Sequence, residues 1–178
     1  KEGANYTIIQ EAIDSADPGD TIEVHGGTYI EHVSADKALV LRGLGNPVID
    51  SNGNGSAVRL NENGIVLEGF VLTTGNQSGI EISYNDNITI KNNIIRNNSD
   101  GIAVHKSLNS SIIGNTISNN RNAGLYLDDS ELCIISNNIF PWQKQQLMKS
   151  LRTPIILFSL KPLPFAIQRA LQIMHTNE

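Results

Sequence analysis

Between Gly79 and Ile139 the chain alternates apolar and polar residues in short bursts, and the bursts return every 22 to 23 residues. One burst reads Gly79-Ile-Glu-Ile-Ser and recurs as Gly101-Ile-Ala-Val-His and Gly124-Leu-Tyr-Leu-Asp. A second follows each of them and lands in asparagine-rich sequence: Ile88-Thr-Ile-Lys-Asn-Asn-Ile-Ile, Ser110-Ser-Ile-Ile-Gly-Asn-Thr-Ile and Leu132-Cys-Ile-Ile-Ser-Asn-Asn-Ile. Alternation with a period of two is the mark of a half-buried strand. One period therefore predicts two short strands and two turns, with no room for a crossover helix. Such a unit cannot bury its own apolar face, so copies must stack, and a fixed repeat of this length reads as a solenoid.

Stacking in register predicts the cross-section. Val58, Ile80, Ile102 and Leu125 form one inward column, with Leu60, Ile82, Val104 and Leu127 beside it. Alternation sends Arg59, Glu81, Ala103 and Tyr126 outward, then Asn61, Ser83, His105 and Asp128. On the second strand a step of 22 places Ile65, Ile88, Ser110 and Leu132 inside, together with Leu67, Ile90, Ile112 and Ile134. The same step puts Asn93, Asn115 and Asn137 over one another, and likewise Ile95, Ile117 and Ile139. Stacked amides bond to the copies above and below, so these asparagines read as structural.

Upstream, Ile9, Ala12, Ile13 and Ala16 recur at helical spacing, which predicts an amphipathic helix from Asn5 to Ala16. Thr7 and Gln10 have the spacing of a reciprocal capping pair, and Asp17-Pro-Gly-Asp ends the element. The expected role of a cap over residues 5–18 is to cover the open end of the core, where the first coil has no neighbour. Thr21-Ile-Glu-Val and Val40-Leu-Arg-Gly read as the first strands, in coils longer and less regular than those that follow. A leucine-rich repeat has a similar period but one strand per unit and a preference for Leu, whereas this chain prefers Ile and Asn.

Tyr6-Thr-Ile-Ile-Gln-Glu-Ala-Ile, Asp17-Pro-Gly-Asp-Thr-Ile-Glu-Val, Gly27-Thr-Tyr-Ile-Glu and Ala38-Leu-Val-Leu-Arg-Gly resemble the N-terminal cap and first coil of the pectin-lyase-like right-handed parallel β-helix superfamily. The later Asn-Asn-x-Ile-x-x-Asn and Gly-Ile repeats are similar to those of NosD-type β-helix domains and of archaeal and bacterial surface proteins. The resemblance covers roughly residues 4 to 140. It implies an all-β fold over 5–140: a right-handed parallel β-helix with about 22-residue coils and an N-terminal amphipathic α-helix cap. It leaves activity open, since the superfamily holds lyases, hydrolases, epimerases and members without known catalysis.

Composition narrows the partners. The net charge of −5 argues against nucleic acid, whose phosphates call for a basic face, and leaves a neutral sugar open. Cys133 is the sole cysteine, which rules out an internal disulfide framework and predicts a buried small hydrophobe. No run approaches the roughly 18 apolar residues that a membrane span needs. A start at Lys1 reads as a mature or excised fragment. Asn-x-Ser/Thr sequons begin at Asn5, Asn54, Asn76, Asn87, Asn97 and Asn109, which fits an exported protein. The expected location is extracellular, on the cell surface or periplasmic.

Residues 141–178 break the pattern. They contain no Gly, both Met, the Trp and four of the six Pro, with five Lys or Arg against Glu178 alone. The first 140 residues carry eight basic and seventeen acidic groups. Two readings stand: a native cap with a helix from Pro164 through Met174, or a frameshifted or foreign segment, which the abruptness of the change after Ile139 favours. Either way the natural solenoid is expected to be longer.

The outward face of the first strand offers Glu81, Ser83, Tyr84, His105, Lys106, Tyr126, Asp128 and Asp129, and it is the face on which the resembled superfamily binds sugar. A carboxylate pair held about 5 to 9 Å apart would serve glycoside cleavage. Asp128-Asp129 resembles the paired aspartates of polygalacturonase-like hydrolases, yet the Asn-Thr-Asp, Gly-His-Gly and Arg-Ile-Lys of that pattern are absent, as is the Asp-Pro-His-Asp of alginate-type epimerases. Lyase chemistry would need calcium and an arginine base. Asp128, Asp129 and Glu131 are the residues that could gather calcium, but only Arg59 lies on the right face, three coils away. The NosD resemblance implies copper, and His25, His32, His105 and His175 are too scattered to converge on it. The sequence therefore predicts a structural or carbohydrate-binding surface module with no required cofactor. Its expected partner is a polysaccharide or cell-surface glycan, bound through Glu81, Ser83, His105, Tyr126, Asp128 and Asp129. The alternatives are a polysaccharide lyase or glycoside hydrolase and, behind them, a NosD-like periplasmic copper-associated protein.

Overall fold

Asparagine and glycine set the corners of each coil. Backbone φ is positive at Asn92, Gly114 and Asn137, again at Asn97 and Asn119, and again at Lys106 and Asp129. L-residues seldom enter this left-handed region, which asparagine and glycine tolerate best, and one such residue turns an extended chain sharply. The run Ile88-Thr-Ile-Lys-Asn-Asn-Ile-Ile is therefore not one strand but two, Thr89–Lys91 and Ile94–Arg96, with Asn92 between them. Each coil thus carries three strands where alternation alone predicts two; the next is Ser111–Ile113, Thr116–Ser118 and Ala123–Asp128.

The computed structural model describes residues 6–140 and, as backbone alone, 146–151 and 156–157. Its strands stack into three sheets of seven, five and six strands, and every pairing is parallel. The first sheet begins with Thr21–His25, the second with Thr28–Ile30 and the third with Val33–Ala35. The fold is the expected all-β right-handed parallel β-helix. Val58, Ile80, Ile102 and Leu125 pair in one column and Leu60, Ile82, Val104 and Leu127 in the next, all fully buried as predicted. Gln146–Leu151 pairs in parallel with Ala123–Asp128, and Ile156–Leu157 with Ile134–Ser136. The helix expected from Pro164 to Met174 lies outside the described residues.

One inserted residue shifts the last coil. The step is 22 from Ile80 to Ile102 but 23 from Ile102 to Leu125, because the turn after Thr116–Ser118 holds one residue more than its predecessor. The extra residue propagates, so Ile112 pairs with Ile135 rather than with Ile134. The inward positions are Cys133 and Ile135, whereas Leu132 and Ile134 are 51% and 39% exposed. The amide ladder likewise runs through Asn138, and Asn137 occupies the outward corner. Ile139 pairs with Thr116, leaving Phe140 to face the core. Burial pushes the Cys133 thiol up, so the sulfur acts as core filler, as expected.

The cap helix is shorter than predicted, Ile9–Ser15, and it is not capped by Thr7 and Gln10. Both of its ends are instead held by the first coil. The Glu31 carboxylate accepts the amides of Ile9 and Gln10, each at 3.0 Å. The Lys37 ammonium donates to the carbonyls of Ile13, Asp14 and Ala16 at 2.8–3.0 Å. A carboxylate at the amino end and an ammonium at the carboxyl end both complement the helix dipole. Seven residues are too few to hold a helix alone in water, so these contacts and the burial of Ile9 and Ile13 against the first coil make it stable. Lys37→Met should cost about 1–2 kcal/mol, since it removes the ammonium shared by the carbonyls of Ile13, Asp14 and Ala16, of which Ile13 keeps the Ala16 amide as a donor. Faster amide exchange over Ile9–Ser15, with exchange across the later coils unchanged, is the expected signature; uniform acceleration would mean that cap and solenoid open together.

Candidate functional site

The longest strands belong to the third sheet, and three of them lie side by side: Ser78–Ser83, Asp100–His105 and Ala123–Asp128. Glycine allows this sheet to meet the corner before it. A Cβ on Gly101 would collide with the Gly124 carbonyl oxygen and sit 2.6 Å from Ile117 Cγ2 and 2.9 Å from Asn120 Nδ2. The Gly-Ile beat of the sequence is thus a close approach, with no space for a side chain.

Register brings the outward residues into rows. Arg59, Glu81, Ala103 and Tyr126 form one, and Ser83, His105 and Asp128 form the other. Within them three side chains gather. The His105 and Tyr126 rings have centroids 5.2 Å apart at 49°, and His105 Nδ1 lies 3.7 Å from Asp128 Oδ2. That contact is an ion pair whenever His105 is protonated. Partial burial, with the carboxylates of Asp128 and Asp100 nearby, pushes the Tyr126 phenol up, so the ring keeps its proton as a donor. Ala103 is outward by register, between Glu81 and Tyr126, yet is only 4% exposed. Ser83 adjoins His105 by register.

Glu81 stands apart. Its carboxylate accepts from Ser56 Oγ at 2.6 Å and from Arg59 Nε at 3.1 Å, and Arg59 Nη2 in turn donates to Gln77 Oε1 at 3.0 Å. Asp129 has left the sheet: it turns the corner at a φ of 50°, in line with Tyr84 and Lys106. Tyr84 is 71% exposed, and the Lys106 ammonium lies 5.2 Å from the centre of its ring. The six predicted site residues therefore divide among three places, and only Ser83, His105, Tyr126 and Asp128 share one. Among the described residues no group of three or more His, Cys, Asp and Glu side chains converges to hold a metal ion.

Sequence reasoning passed over Ser56, Gln77 and Asp100. Asp100 immediately precedes the Gly101 beat, and its carboxylate accepts the Ala123 amide at 2.9 Å in the next coil, so its signal was its place in the repeat. Ser56 and Gln77 sit in the irregular turns that precede the third sheet, where no periodicity points to them.

Comparison with known proteins adds the following. A family model described as right handed beta helix region matches residues 43–142. A cell surface glycoprotein of Methanothermus fervidus is 34% identical over 73 residues, which is 39% of this chain and 12% of that protein. The chain thus spans about an eighth of the curated relative's length. Among solved structures, ORF18 of Geobacillus virus E2 superposes with a TM-score of 0.64 at 16% identity, over 84% of this chain and 36% of the other. A pectin methylesterase in complex with a hexasaccharide gives 0.54 at 12% identity, over 89% and 70%. At such identities these two likenesses concern the fold alone.

Proposed function

The chain belongs to the family of right handed beta helix regions, and on that premise we propose that it is a cell-surface module that binds polysaccharide along the outward face of its third sheet. The observation that carries this reading is the cluster of His105, Tyr126 and Asp128 around the covered Ala103. A sugar ring offers one apolar face and a rim of hydroxyls. An aromatic ring flanked by an imidazole and a carboxylate matches both, through stacking and through hydrogen bonds. The surface location is supported by the matching segment of the Methanothermus fervidus cell surface glycoprotein. No helix among the described residues is long and apolar enough to cross a membrane.

Binding is favoured over cleavage by the disposition of the carboxylates. Glu81 is engaged by Ser56 and Arg59, and Asp128 lies in the other outward row, two coils further on. Asp128 and Asp129 are adjacent in sequence, but one stays on the sheet and the other turns the corner, so they do not face each other across a glycosidic bond.

The test is a polysaccharide panel read for both retention and cleavage, with Tyr126→Ala and Asp128→Ala beside the natural sequence. Both side chains are on the outer face, so stability should change by no more than about 1 kcal/mol. Each should weaken retention about tenfold or more, in line with one lost stacking or charged hydrogen-bond contact. Retention that survives both changes would move the site elsewhere, and release of reducing ends would replace binding by hydrolysis.

A further inference from the structure

Five of the six sequons fall on described residues, beginning at Asn54, Asn76, Asn87, Asn97 and Asn109, and all five asparagines are exposed. Among the described residues none of their side-chain amides makes a hydrogen bond. The asparagines that build the fold behave in the opposite way: Asn93, Asn98, Asn115, Asn120 and Asn138 are buried and bonded. For one of the two ladders geometry enforces the division: two residues after Asn93, Asn115 and Asn138 come Ile95, Ile117 and Phe140, all in the core, so these asparagines have no place for the hydroxyl of a sequon. Two residues after Asn98 and Asn120 the positions face outward but hold Asp100 and Asn122, which carry no hydroxyl. A corner asparagine looks outward, and the hydroxyl two residues on lies on an outer face, as Thr89, Ser99 and Ser111 do.

Asn87 and Asn109 turn the corner between the third and first sheets at φ values of 58° and 53°, and Asn97 turns the corner between the second and third at 60°. These are the two long edges that bound the third sheet. We propose that the exported chain is N-glycosylated at Asn87, Asn97 and Asn109, so that oligosaccharides line both edges of this sheet, and that the transfer precedes closure of each coil. The order follows from the middle residue of each sequon: Ile88, Asn98 and Ser110 are all buried, and a transferase that must grip three consecutive residues cannot do so once they are packed. In the reaction the asparagine amide nitrogen attacks the anomeric carbon of an oligosaccharide carried on a polyprenyl phosphate or diphosphate. The new N–C bond replaces the C–O bond to phosphate, the lipid phosphate leaves with the electron pair, and the nitrogen gives up one proton to solvent. The inference goes beyond glycan binding and depends only on export.

Two samples test it, each bearing an appended unstructured sequon that reports whether the transferase works. One is the chain exported through a cell that performs N-glycosylation. The other is the folded, sugar-free chain incubated with purified oligosaccharyltransferase and a lipid-linked donor. Peptide mass mapping should find sugar on Asn87, Asn97 and Asn109 in the first sample, and on the appended sequon alone among these four in the second. Thr89→Val, Ser99→Ala and Ser111→Ala together should abolish the three shifts while the corner asparagines, the thermal unfolding and the polysaccharide retention stay as they were. Retention thus reports on the binding reading separately from the modification. Unshifted peptides at all three positions in the exported protein, with the appended sequon occupied, would overturn the assignment. Equal labelling of the three and the appended sequon in the folded protein would overturn the order of events.

Discussion

Ile102→Asp should prevent the chain from folding. Ile102 is fully buried, between Ile80 in the coil before and Leu125 in the coil after. Removing the aliphatic side chain from such a position costs about 2–5 kcal/mol in lost burial and cavity. A carboxylate in its place adds the cost of an unpaired polar or charged group inside a column that offers no donor, several kcal/mol more. Together these rival the roughly 5–15 kcal/mol that holds a typical domain. The expected result is loss of the cooperative unfolding transition and of the β-sheet circular dichroism. Ser118→Asp, at a partly exposed outward position of the strand Thr116–Ser118, supplies the contrast and should keep the transition. A soluble Ile102→Asp protein with unaltered thermal unfolding would remove the inward assignment and the register built on it.

Asn115→Leu should be the next most damaging change. The Asn115 side-chain oxygen accepts from the Asn93 backbone amide at 3.0 Å and from Asn93 Nδ2 at 3.2 Å. Its own Nδ2 donates to the Ile90 carbonyl at 3.0 Å and to Asn138 Oδ1 at 3.0 Å. An apolar side chain of similar size leaves four buried partners short of a bond, each worth about 1–3 kcal/mol when it is stranded. With relaxation, a loss of about 4 kcal/mol is expected, which for a chain of this size lowers the melting temperature by about 10 °C. Asn137→Gly is the informative companion. Asn137 holds a corner at a φ of 55°, and glycine stands at the equivalent corners at Gly69 and Gly114, so this change should move the melting temperature by only a degree or two. If the two variants exchange these outcomes, the ladder runs through Asn137 after all.

The columns of the third sheet were legible because each inward residue repeats at a distance that the Gly-Ile beat marks directly. The second half of the coil was less so, for two physical reasons. A corner built on a single residue at positive φ leaves almost no trace in hydrophobic periodicity: Asn92 separates two strands, yet the apolar residues on either side read as one run. A one-residue insertion at an outward turn has no apolar signature either. It shows only in what it displaces, here Cys133 and Ile135 in place of Leu132 and Ile134. The helix capping pair failed because its competitor is remote in sequence: Glu31 reaches back from the first coil, and no local spacing could announce it. At the site, register predicted which residues share a row. It could not show that Glu81 is already occupied by Arg59 and Ser56, because Ser56 approaches from an irregular turn.

The extra residue between Thr116–Ser118 and Ala123–Asp128 is absorbed at a corner, while the strands on either side keep their pairing with the coil beneath. Axial rise is set by the hydrogen-bonded spacing between strands, about 4.8 Å per coil, and so does not depend on how many residues a coil contains. The molecule behaves as a graduated rod: its reach is counted in coils, and groups mounted on its edges keep a fixed pitch even as insertions and deletions drift through the corners. Selection on such a rod can lengthen or shorten it in whole graduations by duplicating or losing coils, and can vary what each graduation carries without recalibrating the rest.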